Sequence, residues 1–302
     1  MPARLTSFTA HPAGAGRYTL GEGPVWDAAR QRLLWVDIDG HAVHEGRLDT
    51  GTGAITPTGR WDFAAEVGAV AVAASGELLV AERETLTRVG LDGSRTELAR
   101  VLAPAATSRL NDGAVDPAGR FLVGSLDPAY RSGTEVLVRL DRGGLTTIDA
   151  DLILSNGLAW SPAGDRFYSI DTIARAVRVR DYDPVTGATG PRRTAFEIAD
   201  GHPDGMCADA DGNLWIAVWG GGRVECRTPE GVLLATVAVA APHTSSVAFA
   251  GPDLDVLVIT TATADLTPEE LERHPGSGLL FTARVGVVGR PAAYWEPIEH
   301  DQ

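Results

Sequence analysis

Six residues, spaced almost evenly along the chain, define the chemistry this sequence can do. Each stands one place ahead of the small residue, Gly in most cases and Ser246 in the last, that opens a recurrent β-type run. They are Glu22, Val67, Asp112, Asn156, Asp204 and Ser245, at separations of 45, 45, 44, 48 and 41 residues. Glu22, Asp112, Asn156 and Asp204 carry carboxylate or amide groups, oxygen donors of the kind that hold a hard divalent cation. Taken one at a time, Asp-Gly and Asn-Gly are turn dipeptides. Taken in phase, and with a Glu in GEGPVW where a turn calls for none, they predict one shared cation site.

Residues so far apart can meet only if the chain returns to a common axis at every repeat. Six segments share one pattern: a short β-type run, a turn of the form D/S-x-x-G or close to it, and a second run rich in Val, Leu, Trp and Tyr. They are GPVWDAARQRLLWVD, GAVAVAASGELLVAE, GAVDPAGRFLVGS, GLAWSPAGDRFYSID, GMCADADGNLWIAVW and SVAFAGPDLDVLVIT. One equivalent position in each second run, Trp35, Leu79, Leu122, Tyr168, Trp215 and Val258, recurs at intervals of 44, 43, 46, 47 and 43 residues. A further strand-like run such as AVRVRDYD or GRVECRTP follows, then often a fourth such as RRTAFEIA or GVLLATVAVA. Four short antiparallel strands per repeat describe a propeller blade, so the sequence predicts an all-β, six-bladed β-propeller with four-stranded antiparallel blades. The first strand of each blade then lines the central channel, which brings the six positions to one end of it.

Blade six has no clear fourth strand of its own, whereas LTSFTAH is strand-like. The N-terminal strand, near Leu5 to His11, is therefore expected to close the last blade, giving a single propeller domain over residues 1–302. Helix is scarce; TPEELERH, from Thr267 to His274, is the best candidate, with Thr267 as N-cap and Pro268 at the first helical position.

Composition excludes several functions. With 40 acidic against 26 basic side chains the formal net charge is -14, which repels a phosphate backbone and an anionic membrane surface and argues against nucleic acid as a partner. The chain contains no lysine, which removes Schiff-base aldolase chemistry, pyridoxal-phosphate catalysis and a Walker-type phosphate lysine. Cys207 and Cys226 are too few for a disulfide framework and lack a CxxC spacing, so they read as core thiols. No apolar stretch approaches the roughly 18 residues of a membrane helix, and the first twenty residues lack a signal-peptide core. The expectation is a cytoplasmic protein without a membrane partner, and a monomer, since propellers close their own edges.

The stretches LGEGPVWDAARQRLLWVDI, RLNDGAVDPAGRFLVGS, SNGLAWSPAGDRFYSIDT, HPDGMCADADGNLWIAVWGGGRV and PDLDVLVITTA closely resemble the SMP-30/gluconolactonase/luciferin-regenerating (regucalcin-like) family, from about Leu20 to Phe281. The resemblance implies the same six-bladed propeller. It also implies a single divalent cation held by Glu22, Asn156 and Asp204, three of the four polar positions picked out by phase, with Asp204 as general base. By the same resemblance Arg109 and Asn111 face the substrate, and Asp112 has a supporting role. A guanidinium fork beside an amide suits a polyhydroxylated ring better than an apolar ester.

The resemblance thus implies a metal-dependent hydrolase, a gluconolactonase-like sugar lactonase that opens a small-molecule aldonolactone to its aldonic acid. All-oxygen ligands favour Ca, Mg or Mn, while a carboxylate-rich site also takes Zn or Fe(II). Two alternatives stay open: a related propeller hydrolase or cyclase acting on another ester, lactone or phosphotriester, and a non-catalytic calcium-binding regulatory protein.

Other features carry less. His41 and His44 have an H-x-x-H spacing on what reads as an exposed strand or turn of blade one, not on a helix. His202, two residues before Asp204, reads as a loop residue or part of the pocket mouth. WGGGRV reads as a hairpin turn, Asp127 as a neighbour outside the site, and Trp26, Trp35, Trp160 and Trp215 as packing between blades. The chain has no G-x-S-x-G elbow of a serine hydrolase.

Overall fold

The computed structural model describes residues 5–130 and 133–298. Its strands form six sheets, arranged as the blades of a six-bladed propeller; each is built on consecutive antiparallel strands, and two of them also take a strand from the N-terminal segment. The innermost strands are Gly21–Asp27, Val67–Val72, Arg109–Val115, Ser155–Trp160, His202–Ala208 and Thr244–Ala250, and they touch one another in sequence around the channel. The blades hold together through apolar seams. Between blades one and two, Leu34, Val36 and Val43 pack against Val70, Val80 and Val89, and full burial of each such side chain contributes roughly 1.5–3 kcal/mol.

The turn signature has a direct physical cause. Oδ1 of the buried Asp116 accepts from the backbone N–H groups of Ala118 and Arg120, both at 2.9 Å. Asp209 repeats this in blade five with Asp211 N at 3.0 Å and Asn213 N at 2.9 Å, and also accepts from the Trp215 indole at 3.0 Å. Each carboxylate thereby folds its own hairpin.

All six innermost strands are bulged against their neighbours, and at equivalent places: between Glu22 and Val25, Val67 and Ala69, Leu110 and Gly113, Asn156 and Leu158, Pro203 and Met206, and Thr244 and Ser246. A bulge adds one residue to one strand and re-aims the side chain beside it. At Gly68, Gly157 and Gly205 the glycine is required because the adjacent blade comes close. A Cβ on Gly157, whose φ is 32°, would lie 2.6 Å from the Asp204 carbonyl oxygen, and one on Gly205 would overlap the Ser246 side chain.

The N-terminal segment departs from expectation by dividing between two blades. Thr6–Thr9 adds to the outer strand of blade five in parallel, pairing with Ala235 to Ala238. Only His11–Pro12 supplies the fourth strand of blade six, against Phe281 and Thr282. Blade six offers a third strand of only three residues, Phe281–Ala283, which leaves too short an edge to pair with the whole segment.

After Phe281–Ala283 the chain crosses the end of the channel opposite the six bulges and fastens to every blade. Ala210 N donates to Val288 O at 3.0 Å, Gly289 N to Leu254 O at 2.8 Å and Arg290 Nη1 to Ser161 O at 2.8 Å. Tyr294 Oη donates to Asp27 at 3.0 Å, Trp295 N to Val72 O at 2.7 Å and Glu296 N to Gly119 O at 2.9 Å. Trp295 is fully buried beside Phe121 and Leu140. This strap floors a cavity of about 450 Å³, whose walls include Val25, Val70, Leu158 and Met206.

The helix forms at Pro268–Arg273, with Thr267 and Glu270 closing a capping box. Among the described residues no helix is long and apolar enough to cross a membrane. His44, expected to be exposed, is buried and stacks on Trp35 at 5.5 Å between ring centroids.

Candidate functional site

At the bulged end of the channel Glu22, Arg109, Asn111, Asn156 and Asp204 are between 4% and 8% exposed, a concentration of charge that the interior tolerates only if it is paired or occupied. Asn156 Nδ2 donates to Asp204 Oδ1 across the junction of blades four and five, and to Thr172 Oγ1 at 3.1 Å. Asn156 Oδ1 is buried and accepts no hydrogen bond. Glu22 Oε2 accepts from Gly23 N at 2.9 Å, and Asp112 Oδ1 from Gly113 N at 2.8 Å.

The two other bulge positions have become structural. Val67 is apolar and fully buried. Ser245 Oγ donates to Gly21 O at 2.5 Å and lies 2.9 Å from Thr260 Oγ1, so it stitches blade six to blade one. Polar groups at the channel end therefore come from blades one, three, four and five.

Burial of these carboxylates raises their proton affinity, and for Glu22 and Asp204 neighbouring charges add to it. Burial pushes Glu22 up to about 8, with the Asp112 charge adding to it. Burial raises Asp204 well above the usual carboxylate range, helped by the charges of Glu22 and Asp112. Burial likewise lifts Asp112 to about 6. Arg109 is pulled the opposite way, its guanidinium made less basic by burial while Asp39, Glu66 and Glu22 partly restore it.

Arg109 is clamped at one end only. Its Nη1 donates to Leu110 O at 3.0 Å and to Asn111 Oδ1 at 2.7 Å. Asn111 Nδ2 in turn donates to Ser155 O at 3.0 Å, fastening blade three to blade four. Among the described residues Arg109 makes no ion pair, so the rest of its fork is available to a ligand.

Among the described residues no three His, Cys, Asp or Glu side chains group as metal ligands; the set here is two carboxylates and an amide. That set fits a hard cation by the chemistry of its donors. Asn156 Oδ1 is an orphaned acceptor, and Glu22 and Asp204 repel each other in a buried place, so a divalent ion would satisfy the first and neutralise the second. Three protein oxygens around such an ion would leave further coordination positions open.

Residues 20–263 match the model of the SMP-30/Gluconolactonase/LRE-like region. The chain belongs to the SMP-30/gluconolactonase/LRE-like family. Within that family it is 38% identical over 283 residues to pentonolactonase XacC of Haloferax volcanii, covering 90% of this chain and 93% of that protein. It is 36% identical over 292 residues to regucalcin of Xenopus laevis, covering 92% and 95%. Among solved structures it is similar to regucalcin of Agrobacterium tumefaciens, described as a calcium-binding protein, with a TM-score of 0.90 and 26% identity over 98% of this chain and 100% of that one.

All five residues singled out in the sequence thus lie together at one end of the family's propeller channel. Asp127 is buried and shapes its own turn, its Oδ1 accepting from Ala129 N at 3.0 Å. His202 is partly buried, pairs across the strand with Trp219, and has an unpartnered Nδ1. Trp219 stacks on His243 at 4.1 Å. Thr172 escaped sequence reading. It ends the SNGLAWSPAGDRFYSIDT stretch, one place beyond the strand Arg166–Asp171, where a hydroxyl has no periodic partner to reveal it.

Proposed function

We propose that the chain is a divalent-metal-dependent hydrolase that opens a sugar lactone to its aldonic acid. Glu22, Asn156 and Asp204 hold the ion, Asp204 is the general base, and Arg109 and Asn111 contact the substrate. The reading is carried by one observation: the buried, unpartnered Asn156 Oδ1 beside two mutually repelling carboxylates, with a half-free arginine next to them. The relatives support it, since one is named a pentonolactonase and another a calcium-binding protein.

A bound divalent ion supplies Lewis-acid polarisation of an ester carbonyl and acidifies nearby water. The chain's own residues do the rest. Asp204 accepts the proton of the attacking water and returns it to the alkoxide released as the lactone C–O bond breaks, leaving a hydroxy acid. Arg109, held by Asn111, directs its remaining N–H groups to substrate oxygens and fixes the sugar ring for attack. Burial keeps bulk water from competing for these hydrogen bonds.

The test is proton release in a weakly buffered indicator assay over a panel of pentono- and hexonolactones. Metal-stripped protein is compared with protein reloaded with Ca, Mg, Mn, Zn or Fe(II), with spontaneous opening subtracted. Hydrolysis that returns with metal and is absent in Asp204→Ala supports the reading. Metal binding without lactone opening above the blank overturns it in favour of a calcium-binding role or another ester substrate.

A further inference from the structure

Thr172 lies at the centre of a small relay that joins two of the proposed ligands. It is 6% exposed, its Oγ1 donates to Pro203 O at 2.8 Å, and the same oxygen accepts from Asn156 Nδ2 at 3.1 Å. Pro203 immediately precedes Asp204, and Asn156 Nδ2 also donates to Asp204 Oδ1. A hydroxyl has one hydrogen. Because Pro203 O takes it, Thr172 Oγ1 can only accept from Asn156.

This fixes which way the amide of Asn156 faces. With the amide turned over, Oδ1 would meet a Thr172 oxygen that has no hydrogen to offer and an Asp204 carboxylate oxygen, and both contacts would be repulsive. As it stands, Nδ2 satisfies both acceptors and Oδ1 is the atom left without a partner. The bond to Pro203 O also ties the end of blade four's second strand to the segment that carries Asp204.

We infer that Thr172 is a positioning residue that holds Asn156 Oδ1 toward the centre of the channel and so sets the affinity of the site for a divalent cation. The inference rests on the metal-site reading above. Outer groups that orient a ligand typically change metal affinity by about 10- to 100-fold when removed. Thr172→Val keeps the shape and removes both hydrogen bonds; Thr172→Ser keeps the hydroxyl and removes the methyl.

The experiment is direct titration of the metal-stripped full chain with Mn(II), read by the loss of free Mn(II) paramagnetic signal, for wild type, Thr172→Val, Thr172→Ala, Thr172→Ser and Glu22→Gln. Thermal melts without metal report folding, and Thr172→Ala serves as the hydroxyl-free variant if Thr172→Val misfolds. The expected result is a Kd raised about tenfold or more in the hydroxyl-free variants and restored to within about threefold of wild type by serine. Wild-type affinity in a folded hydroxyl-free variant overturns the inference, as does equal loss in Thr172→Ser. Failure of the metal-site reading is separately visible: wild type then binds no Mn(II), or Glu22→Gln binds as tightly as wild type.

Discussion

The side-chain amide of Asn156 donates to Oδ1 of Asp204, a bond between residues 48 positions apart that joins the innermost strands of two neighbouring blades. It commits one Asp204 oxygen, Oδ1, to the scaffold. Replacing Asp204 with Asn keeps the size but removes the proton acceptor and one of three neighbouring carboxylates, the others being Glu22 and Asp112. Lactone opening is expected to fall about 10²- to 10⁴-fold, the usual weight of a positioned general base. Metal-free Asp204→Asn should melt several degrees above metal-free wild type, because the repulsion with Glu22 is gone. Indicator-assay rates and calorimetry check the two halves separately, and an unimpaired rate would exclude Asp204 as the base.

Burial of these carboxylates fixes how stability varies with pH. Glu22 moves from 4.5 to about 8 on folding, and Asp112 from 3.8 to about 6. Between the unfolded and folded values the native state binds more protons than the unfolded state, so stability falls as pH rises. Metal-free protein should therefore lose resistance to urea steadily as pH rises from 4.5 toward about 8. Adding a divalent cation should flatten or reverse that slope, since binding requires the carboxylates ionised. A metal-free stability that climbs over this interval would contradict the burial of the pair.

Arg109 offers a prediction about recognition rather than chemistry. Asn111 holds one end of its guanidinium by a 2.7 Å hydrogen bond and leaves the other for a ligand. Lysine keeps the positive charge but not the fork. Arg109→Lys is expected to raise KM by about tenfold while lowering kcat less, the pattern of lost ground-state contacts. Steady-state kinetics on the preferred lactone decide the matter; an unchanged KM would place Arg109 away from the substrate.

Much of this was legible in the sequence because a propeller writes its geometry as a period. Glu22, Asp112, Asn156 and Asp204 recur in phase, and phase alone carries them to one end of the channel. Three features left no such trace. The bulges that turn these side chains inward depend on strand pairing. The N-terminal segment divides between two blades according to which edge is long enough to receive it, as Thr6–Thr9 and His11–Pro12 show. Thr172 matters through a single hydroxyl hydrogen whose acceptor is 31 residues away.

The two cysteines give a probe of the interior. Burial pushes Cys226 up to about 12 and Cys207 further still, in each case away from the reactive thiolate. Neither thiol should react with a disulfide reagent at neutral pH over the time in which the unfolded chain reacts completely. Both should appear together across a urea transition. Early appearance of Cys207 alone, which lines the channel cavity, would report opening of the blade five and blade six seam before global unfolding.

The C-terminal strap predicts a separation of stability from catalysis. Trp295 buries its ring against blades two and three, and Tyr294 Oη donates to the buried Asp27 carboxylate of blade one while accepting from Ala29 N at 2.9 Å. Both contacts lie at the opposite end of the channel from Asp204. Trp295→Ala creates a large cavity and should cost about 3–5 kcal/mol. Tyr294→Phe loses a hydrogen bond to a charged group and should cost about 1.5–3 kcal/mol. Wherever either variant remains folded, KM and kcat should match wild type, because the bulged strands that aim Glu22, Asn156 and Asp204 are untouched. Urea melts paired with kinetics below the transition measure both quantities. A folded Trp295→Ala protein with a much reduced kcat would mean that the strap, and not the bulges alone, holds the far end of the channel in register.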